Sequence, residues 1–244
     1  MTKIFINPGH SLNGNPDKGC CYNNLIEANI SYDIAVLLKS MLINNGFEVI
    51  LYQQEGKNLT SNQQLNKVPK TANNSNSDVF ISIHMNGFSN ESAKGTETWY
   101  YRGSQKSQKL AELVNKELTK SFTNYTLINR GSKVDQRGLL VLKATNMPAI
   151  LTEIGFISNK AEAEFIKNNK KDIAQRLCNA VCQYFNKTVQ LNKVETPKKS
   201  LKFSIELNDD NLYDCKVNDK LVLSGNKLSS VLQWLKDKYG EKQC

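Results

Sequence analysis

Histidine is scarce in this sequence, with only His10 and His84 among 244 residues. Any chemistry that needs an imidazole therefore rests on those two positions. Long apolar runs are missing as well. All fall far short of the roughly 18 residues a membrane-spanning helix requires, so no membrane span is expected. The six cysteines include no Cys-x-x-Cys pair: Cys20 and Cys21 are adjacent, Cys178 and Cys182 stand one helical turn apart, and Cys215 and Cys244 are isolated. That spacing argues against a cysteine-ligated zinc site. No signal peptide is visible, because the N-terminus MTKIFINPGH runs straight into a strand pattern. The chain is accordingly expected to be made in the cytoplasm with its thiols reduced.

Acidic side chains are in deficit, 23 against 32 Lys and Arg, which leaves a net charge of +9. Such a balance attracts polyanions without choosing among nucleic acid, an acidic membrane and an anionic wall polymer. The chain lacks an Arg/Lys stripe interleaved with aromatics and shows no nucleic-acid module signature, so nucleic acid is not the expected partner. With 39 % hydrophobic and 23 % charged residues, the composition is that of a globular protein. The length suits one medium-sized domain with a small appendage.

Strand and helix patterns alternate along the chain. KIFIN (3–7) reads as a strand stopped by Pro8-Gly9. Ile26, Ile30, Ile34, Leu37, Leu38, Met41 and Leu42 recur at the period of one buried helix face. Gly46 ends that helix, and FEVILYQ follows as a strand. Residues 60–76 are weakly helical, with Pro69 expected to begin, kink or break the helix. DVFISIH (78–84) is a β-branched run of the kind buried in a parallel sheet, and TETWYY (96–101) alternates like a strand. A helix around Leu110–Leu118 is followed by two expected strands, LLVLK (139–143) and AILTEIGF (149–156). Asn159 and Glu162 form a capping-box pattern that opens helical sequence to about Phe185, with a break near 168–171. The fold class is α/β: a twisted, mostly parallel sheet flanked by helices, with right-handed crossovers.

Composition shifts after Asn186. Residues 1–186 read as one domain and 187–200 (KTVQLNKVETPKKS) as a linker. Residues 201–244 read as a small α+β module with strands FSIEL, YDCKV and KLVLS and an amphipathic helix in LSSVLQWLKDKY.

Both histidines follow directly on a predicted strand. In an open parallel sheet the strand carboxyl ends share one edge, so His10 and His84 can meet there although 74 positions apart. A single such histidine is commonly a hydrogen-bonded scaffold residue. Two His and one carboxylate, with a position left open, make a catalytic zinc site. Glu27, in the first turn of the helix after the first strand, is placed to be that carboxylate; its plainer role is to complement the helix dipole. Asp17, Asp33 and Glu55 are weaker candidates by position. Glu153 lies inside AILTEIGF, where burial demands a partner or a function. It is read either as a salt-bridged residue or as a general acid/base.

These residues, taken in order, resemble the zinc-dependent N-acetylmuramoyl-L-alanine amidases, which cut the sugar-to-peptide amide of bacterial peptidoglycan. The resemblance spans about residues 3–185. It is carried by NPGH (7–10), the Glu27 helix, ANNSNSDVFISIHMN (72–86), GTETWYY (95–101) and NRGSKVDQRGLLVLKATNMPAILTEIGFISN (129–159). It implies one catalytic Zn2+ held by His10, Glu27 and His84, Glu153 as catalytic carboxylate, and peptidoglycan as substrate. Asn86, just past His84, is a candidate substrate-binding residue. The chain departs from the family pattern at Asn7 (usually Asp), at Ser11-Leu12 (usually glycines) and at Lys67 (usually Arg), which bears on substrate fit.

A wall hydrolase without an export signal, with a basic balance and a small C-terminal module, is expected to be a phage or prophage endolysin released onto the wall. The module would then contact anionic wall polymers. A catalytically silent peptidoglycan-binding protein and a zinc peptidase acting within the stem peptide are the competing readings.

Overall fold

Aliphatic and aromatic residues alternate along KIFINP so that Ile4 and Ile6 face one layer of helices while Phe5 faces another, all fully buried. This strand, β1 (Lys3–Pro8), sits inside the sheet of a computed structural model. The structure describes residues 1–11, 14–54, 61–190, 203–207, 213–217 and 220–225.

After β1, a two-stranded hairpin, β2 (Cys21–Tyr22) and β3 (Leu25–Ile26), leads into α1 (Glu27–Asn44). β4 (Glu48–Leu51), α2 (Ser61–Asn74), β5 (Val79–Asn86), β6 (Thr96–Tyr100) and α3 (Gln105–Leu118) follow. The first unit ends with β7 (Asn129–Val134), α4 (Leu140–Lys143), β8 (Ala149–Phe156), α5 (Lys160–Asn168) and α6 (Lys170–Tyr184). The six-stranded sheet has the order β4-β1-β5-β8-β6-β7. Its pairs are parallel except β8 with β6, as the βα alternation predicts for most of the sheet. β8 is buried along its whole length, which suits a central strand covered on both faces.

Helices α1, α3 and α6 pack together on one face. On the other, Phe5, Phe80, Ala149 and Leu151 of the sheet meet Val68 and Ala72 of α2 and Val141 and Leu142 of α4. Phe5 and Phe80 stack with ring centroids 5.6 Å apart. This second face carries the site, because alternation along β5 and β8 puts His84 and Glu153 on the side of Phe80 and Leu151.

Several expectations shift. LLVLK is not a strand: residues 140–143 form the one-turn helix α4. A short apolar run reads alike in either state, and here the Asp135 carboxylate accepts from the Arg137 and Leu139 amides and turns the chain just before it. β7, whose NRGSKV is polar and half exposed, shows no apolar alternation because it is an edge strand, paired among the described residues only with β6. α2 continues through Pro69. The Asn159 side chain caps α5 by accepting from Glu162 N, but the Glu162 carboxylate turns away to the Gly95 and Phe156 amides. The expected capping box is therefore half formed. The helical sequence breaks between Asn168 and Lys170.

The chain divides into two compact units, Met1–Asn192 and Lys193–Cys244. Residues just past α6 remain on the first unit, where Lys187 Nζ donates to the Gly46 carbonyl and Gln190 N to Asn45 Oδ1. The second unit shows an antiparallel meander, β9 (Phe203–Leu207), β10 (Tyr213–Val217) and β11 (Lys220–Gly225), in the order β11-β10-β9. The helix expected at 228–239 lies outside the described residues. Cys20, Cys21, Cys178 and Cys182 are free thiols, and no helix among the described residues is long and apolar enough to cross a membrane.

Candidate metal centre

β1 ends at Pro8, and the chain leaves the sheet through Gly9, whose amide still donates to the Ile83 carbonyl at 2.8 Å. That bond keeps the loop against β5. A Cβ on Gly9 would lie 2.3–2.6 Å from the His84 imidazole, so only glycine lets the ring sit there. His10 follows with φ of 63°, a left-handed conformation uncommon for a side-chain-bearing residue, and this turns its ring back over the sheet edge. The two imidazoles meet edge to face, centroids 4.9 Å apart. His84 lies within β5, two residues before its end.

The hairpin before α1 turns on Asn23 and Asn24, both at positive φ, the backbone that a tight two-residue hairpin demands. It delivers Glu27 to the sheet edge as the first residue of α1. Glu27 is buried: Oε1 lies 2.9 Å from His10 Nε2 and 3.0 Å from His84 Nδ1, and also accepts from Met85 N at 2.9 Å. Oε2 accepts from Cys20 N at 2.8 Å. The ligand atoms of His10, Glu27 and His84 all fall within 4.8 Å of one another.

His10 Nε2 is buried and, although close to Glu27, makes no hydrogen bond of acceptable geometry. A buried ring nitrogen facing a carboxylate oxygen is what a bridging cation satisfies. Two imidazoles and a carboxylate suit a divalent transition metal, zinc above all. On its far side, His10 Nδ1 contacts Asp17 Oδ2 at 2.9 Å. A carboxylate behind an imidazole fixes its tautomer and raises its basicity. Asp17, weighed from sequence only as a lesser ligand, is brought to the site in this supporting place.

His84, Glu153 and Glu97 occupy one row across β5, β8 and β6: His84 is the register partner of Glu153, and Glu153 of Glu97. Glu153 is buried, and its Oε2 finds no hydrogen-bond partner among the described residues. The salt-bridge reading is thus not met. Glu97 is satisfied instead: Arg130 Nε and Lys133 Nζ donate to Oε2 at 2.8 and 2.7 Å, and Asn86 Nδ2 to Oε1 at 3.1 Å. Sequence reasoning missed Glu97 and its two cations, because β7, which carries both, gave no strand signal.

The charges follow from these contacts. Burial opposes ionisation of Glu27, yet the close imidazoles of His10 and His84 hold its carboxyl far below the usual range. Burial resists charge on His10 as well, but the Glu27 and Asp17 carboxylates push it up to about 9. Burial and the Glu27 charge push Glu153 up to about 8, against the opposing pull of Arg137. A carboxyl titrating near neutrality with one oxygen uncommitted can both take and return a proton. Burial and the charge of Glu27 push the Cys20 thiol up to about 12, which leaves it protonated and unsuited to nucleophilic attack.

Beside the centre lies a cavity of about 330 Å³, lined by Asn7, His10, Ser11, Leu65, His84, Leu139, Leu140 and Leu151 among others. It is mostly apolar and lies on the α2/α4 face of the sheet.

The N-acetylmuramoyl-L-alanine amidase family profile matches residues 4–183. The chain belongs to this amidase family. A cell wall amidase of Bacillus anthracis is 36% identical over 191 residues, 73% of this chain and 34% of that protein. The chain therefore spans about a third of that relative's length. An N-acetylmuramoyl-L-alanine amidase of Clostridium difficile 630 is 30% identical in its crystal structure, with a TM-score of 0.65 over 76% of this chain and 97% of the other. The catalytic domain of an endolysin targeting Clostridia difficile is 27% identical, with a TM-score of 0.66 over 78% of this chain and 100% of the other. The amidase unit coincides with the helix-flanked sheet, and the meander unit lies beyond the matched residues.

Proposed function

We propose that this chain hydrolyses the amide bond between N-acetylmuramic acid and L-alanine in peptidoglycan, using one zinc ion held by His10, Glu27 and His84. The observation that carries this reading is the convergence of those three ligands beside Glu153, a buried carboxyl with a free oxygen. Zinc, when bound, supplies Lewis acidity toward the amide carbonyl and makes a water acidic. Glu153 accepts the proton of the attacking water and returns it to the departing alanine nitrogen. Its apolar burial keeps the proton available for that second transfer. Asp17 orients His10, and Asn86, bound to Glu97, holds the row of carboxylates in register; its remaining amide oxygen is assigned to the substrate.

Digestion of purified peptidoglycan tests this. New L-alanine amino termini without new reducing sugar are expected, abolished by chelation and restored by zinc. Fragments cut inside the stem peptide would point to a zinc peptidase, and no release at all would leave a binding protein.

An endolysin role, with the chain made in the cytoplasm and released onto the wall, is supported by the likeness to an endolysin's catalytic domain. The +9 charge suits an anionic wall. Residues 201–244, after a linker at 187–200, are assigned as the element that engages anionic wall polymers. Lysis on co-expression with a membrane-pore protein, but not without it, is the expected result.

A further inference from the structure

Trp99 lies on β6 two residues beyond Glu97 and is the register partner of Leu151 on β8 and Lys133 on β7. Leu151 lines the cavity beside the metal centre, so the indole borders the site on the β7 side. Strand spacing of ~4.8 Å and a rise of ~3.3 Å per residue put the Trp99 backbone about 8 Å from that of Glu153. Two cations sit over the indole: the Arg137 guanidinium at 4.3 Å from the ring centroid and the Lys133 ammonium at 5.2 Å.

The two differ in how far they are already engaged. Lys133 donates to the buried Glu97 at 2.7 Å and is neutralised there. Arg137 is about half exposed (51%), and its nearest carboxylate, Asp135, stands off at 4.0 Å. Asp135 is itself occupied by the Arg137 and Leu139 backbone amides. The guanidinium is therefore oriented by stacking, with its hydrogen-bond donors largely uncommitted, and such a planar fork matches a carboxylate. Its charge still reaches the active centre, where it is the leading influence favouring ionised Glu153.

We infer that Arg137, stacked on Trp99, binds a free carboxylate on the residue that follows the scissile alanine and so sets a preference for acidic over amidated stem peptides. In an extended peptide, two residues cover about 7 Å, which matches the span from Glu153 to Trp99. The apolar cavity lined by Leu139, Leu140 and Leu151 adjoins the cationic platform, since Leu151 is the register partner of Trp99. This inference rests on the amidase reading for its substrate.

The test compares two muramyl peptides that differ only in whether the second residue's α-carboxyl is free or amidated. The wild-type protein is expected to favour the free acid in kcat/KM by roughly tenfold, mainly through KM. Arg137→Ala should bring the ratio close to one, and Arg137→Lys, which keeps the charge, should retain at least a third of the preference. A wild-type ratio near one, or a preference that survives in Arg137→Ala, overturns the inference. So does loss of the preference in both variants together with a falling melting temperature, since that marks a structural role. Calorimetric titration of the wild type and Arg137→Ala with the corresponding alanyl-glutamate and alanyl-isoglutamine dipeptides reads the same discrimination without turnover. Dipeptide preference without hydrolysis would uphold Arg137 and sink the amidase reading; hydrolysis with no preference would do the reverse.

Discussion

Besides Glu27, the glutamates Glu97 on β6, Glu153 on β8 and Glu162 at the start of α5 are buried, and their partners separate their roles. Glu97 is neutralised by Arg130 and Lys133, and Glu162 accepts the Gly95 and Phe156 amides. Of these three, Glu153 alone leaves an oxygen unpaired among the described residues, a cost of burial that structure does not recover and that the proposed proton transfer would use. Glu153→Gln is expected to keep one zinc per chain by metal analysis while kcat falls about 10²–10⁴-fold. Loss of metal together with activity would instead make Glu153 a ligand or a scaffold residue. The proton balance gives a second expectation. In the metal-free protein His10 is raised from 6.5 to about 9 and Glu153 from 4.5 to about 8. Both folded values lie above the unfolded ones, so the folded state binds more protons. This stabilisation is complete below the unfolded pKa and is lost as pH rises through the folded one. The chelated protein should therefore lose melting temperature from about pH 4.5, through Glu153, up to about pH 9, through His10. Zinc, which needs the neutral imidazole, should bind more tightly as pH rises from about 6.5 to about 9. Scanning calorimetry with and without chelator, and zinc competition at stepped pH, check both; a flat or rising melting profile in chelator contradicts the assignment.

At the scale of elements, the site depends on two short connections, the turn after β1 and the hairpin before α1. The turn after β1 needs Gly9, because any Cβ there would strike the His84 ring. Gly9→Ala is expected to keep the fold, with circular dichroism unchanged, yet to weaken zinc affinity by about 10–100-fold, the range seen when a ligand's support is disturbed. Unchanged affinity would show that His84 does not bind metal from this rotamer. The hairpin before α1 was invisible in sequence, since CYNNLI lacks strand-length alternation, but it is what sets Glu27 between the two imidazoles. Regular periodicity made α1, β5 and β8 legible. LLVLK was misread because four apolar residues carry no period, and β7 was overlooked because an edge strand has no need of an apolar face.

For the whole molecule, the two compact units would divide the proposed hydrolysis from the proposed wall contacts of the meander unit. A chain ending at Asn192 is expected to hydrolyse soluble muropeptide within about twofold of the full chain. It should also co-sediment less with intact walls, through loss of the proposed contacts. Equal co-sedimentation would place wall attraction in the amidase unit and its basic surface.

The sequence by itself determined the α/β alternation, the ends of the long helices and the residue types of the metal centre, because burial and helical period are written locally. It marked His10 and His84 at predicted strand ends, Glu27 at a helix start and Glu153 inside a strand, with the family resemblance supplying their roles. The tertiary structure decided what those residues touch: Asp17 behind His10, Glu97 beside Glu153, and Arg137 over Trp99. The last two contacts depend on β6 entering antiparallel beside β8 and on β7 closing the edge. Such pairings join residues distant along the chain, and no local period encodes them.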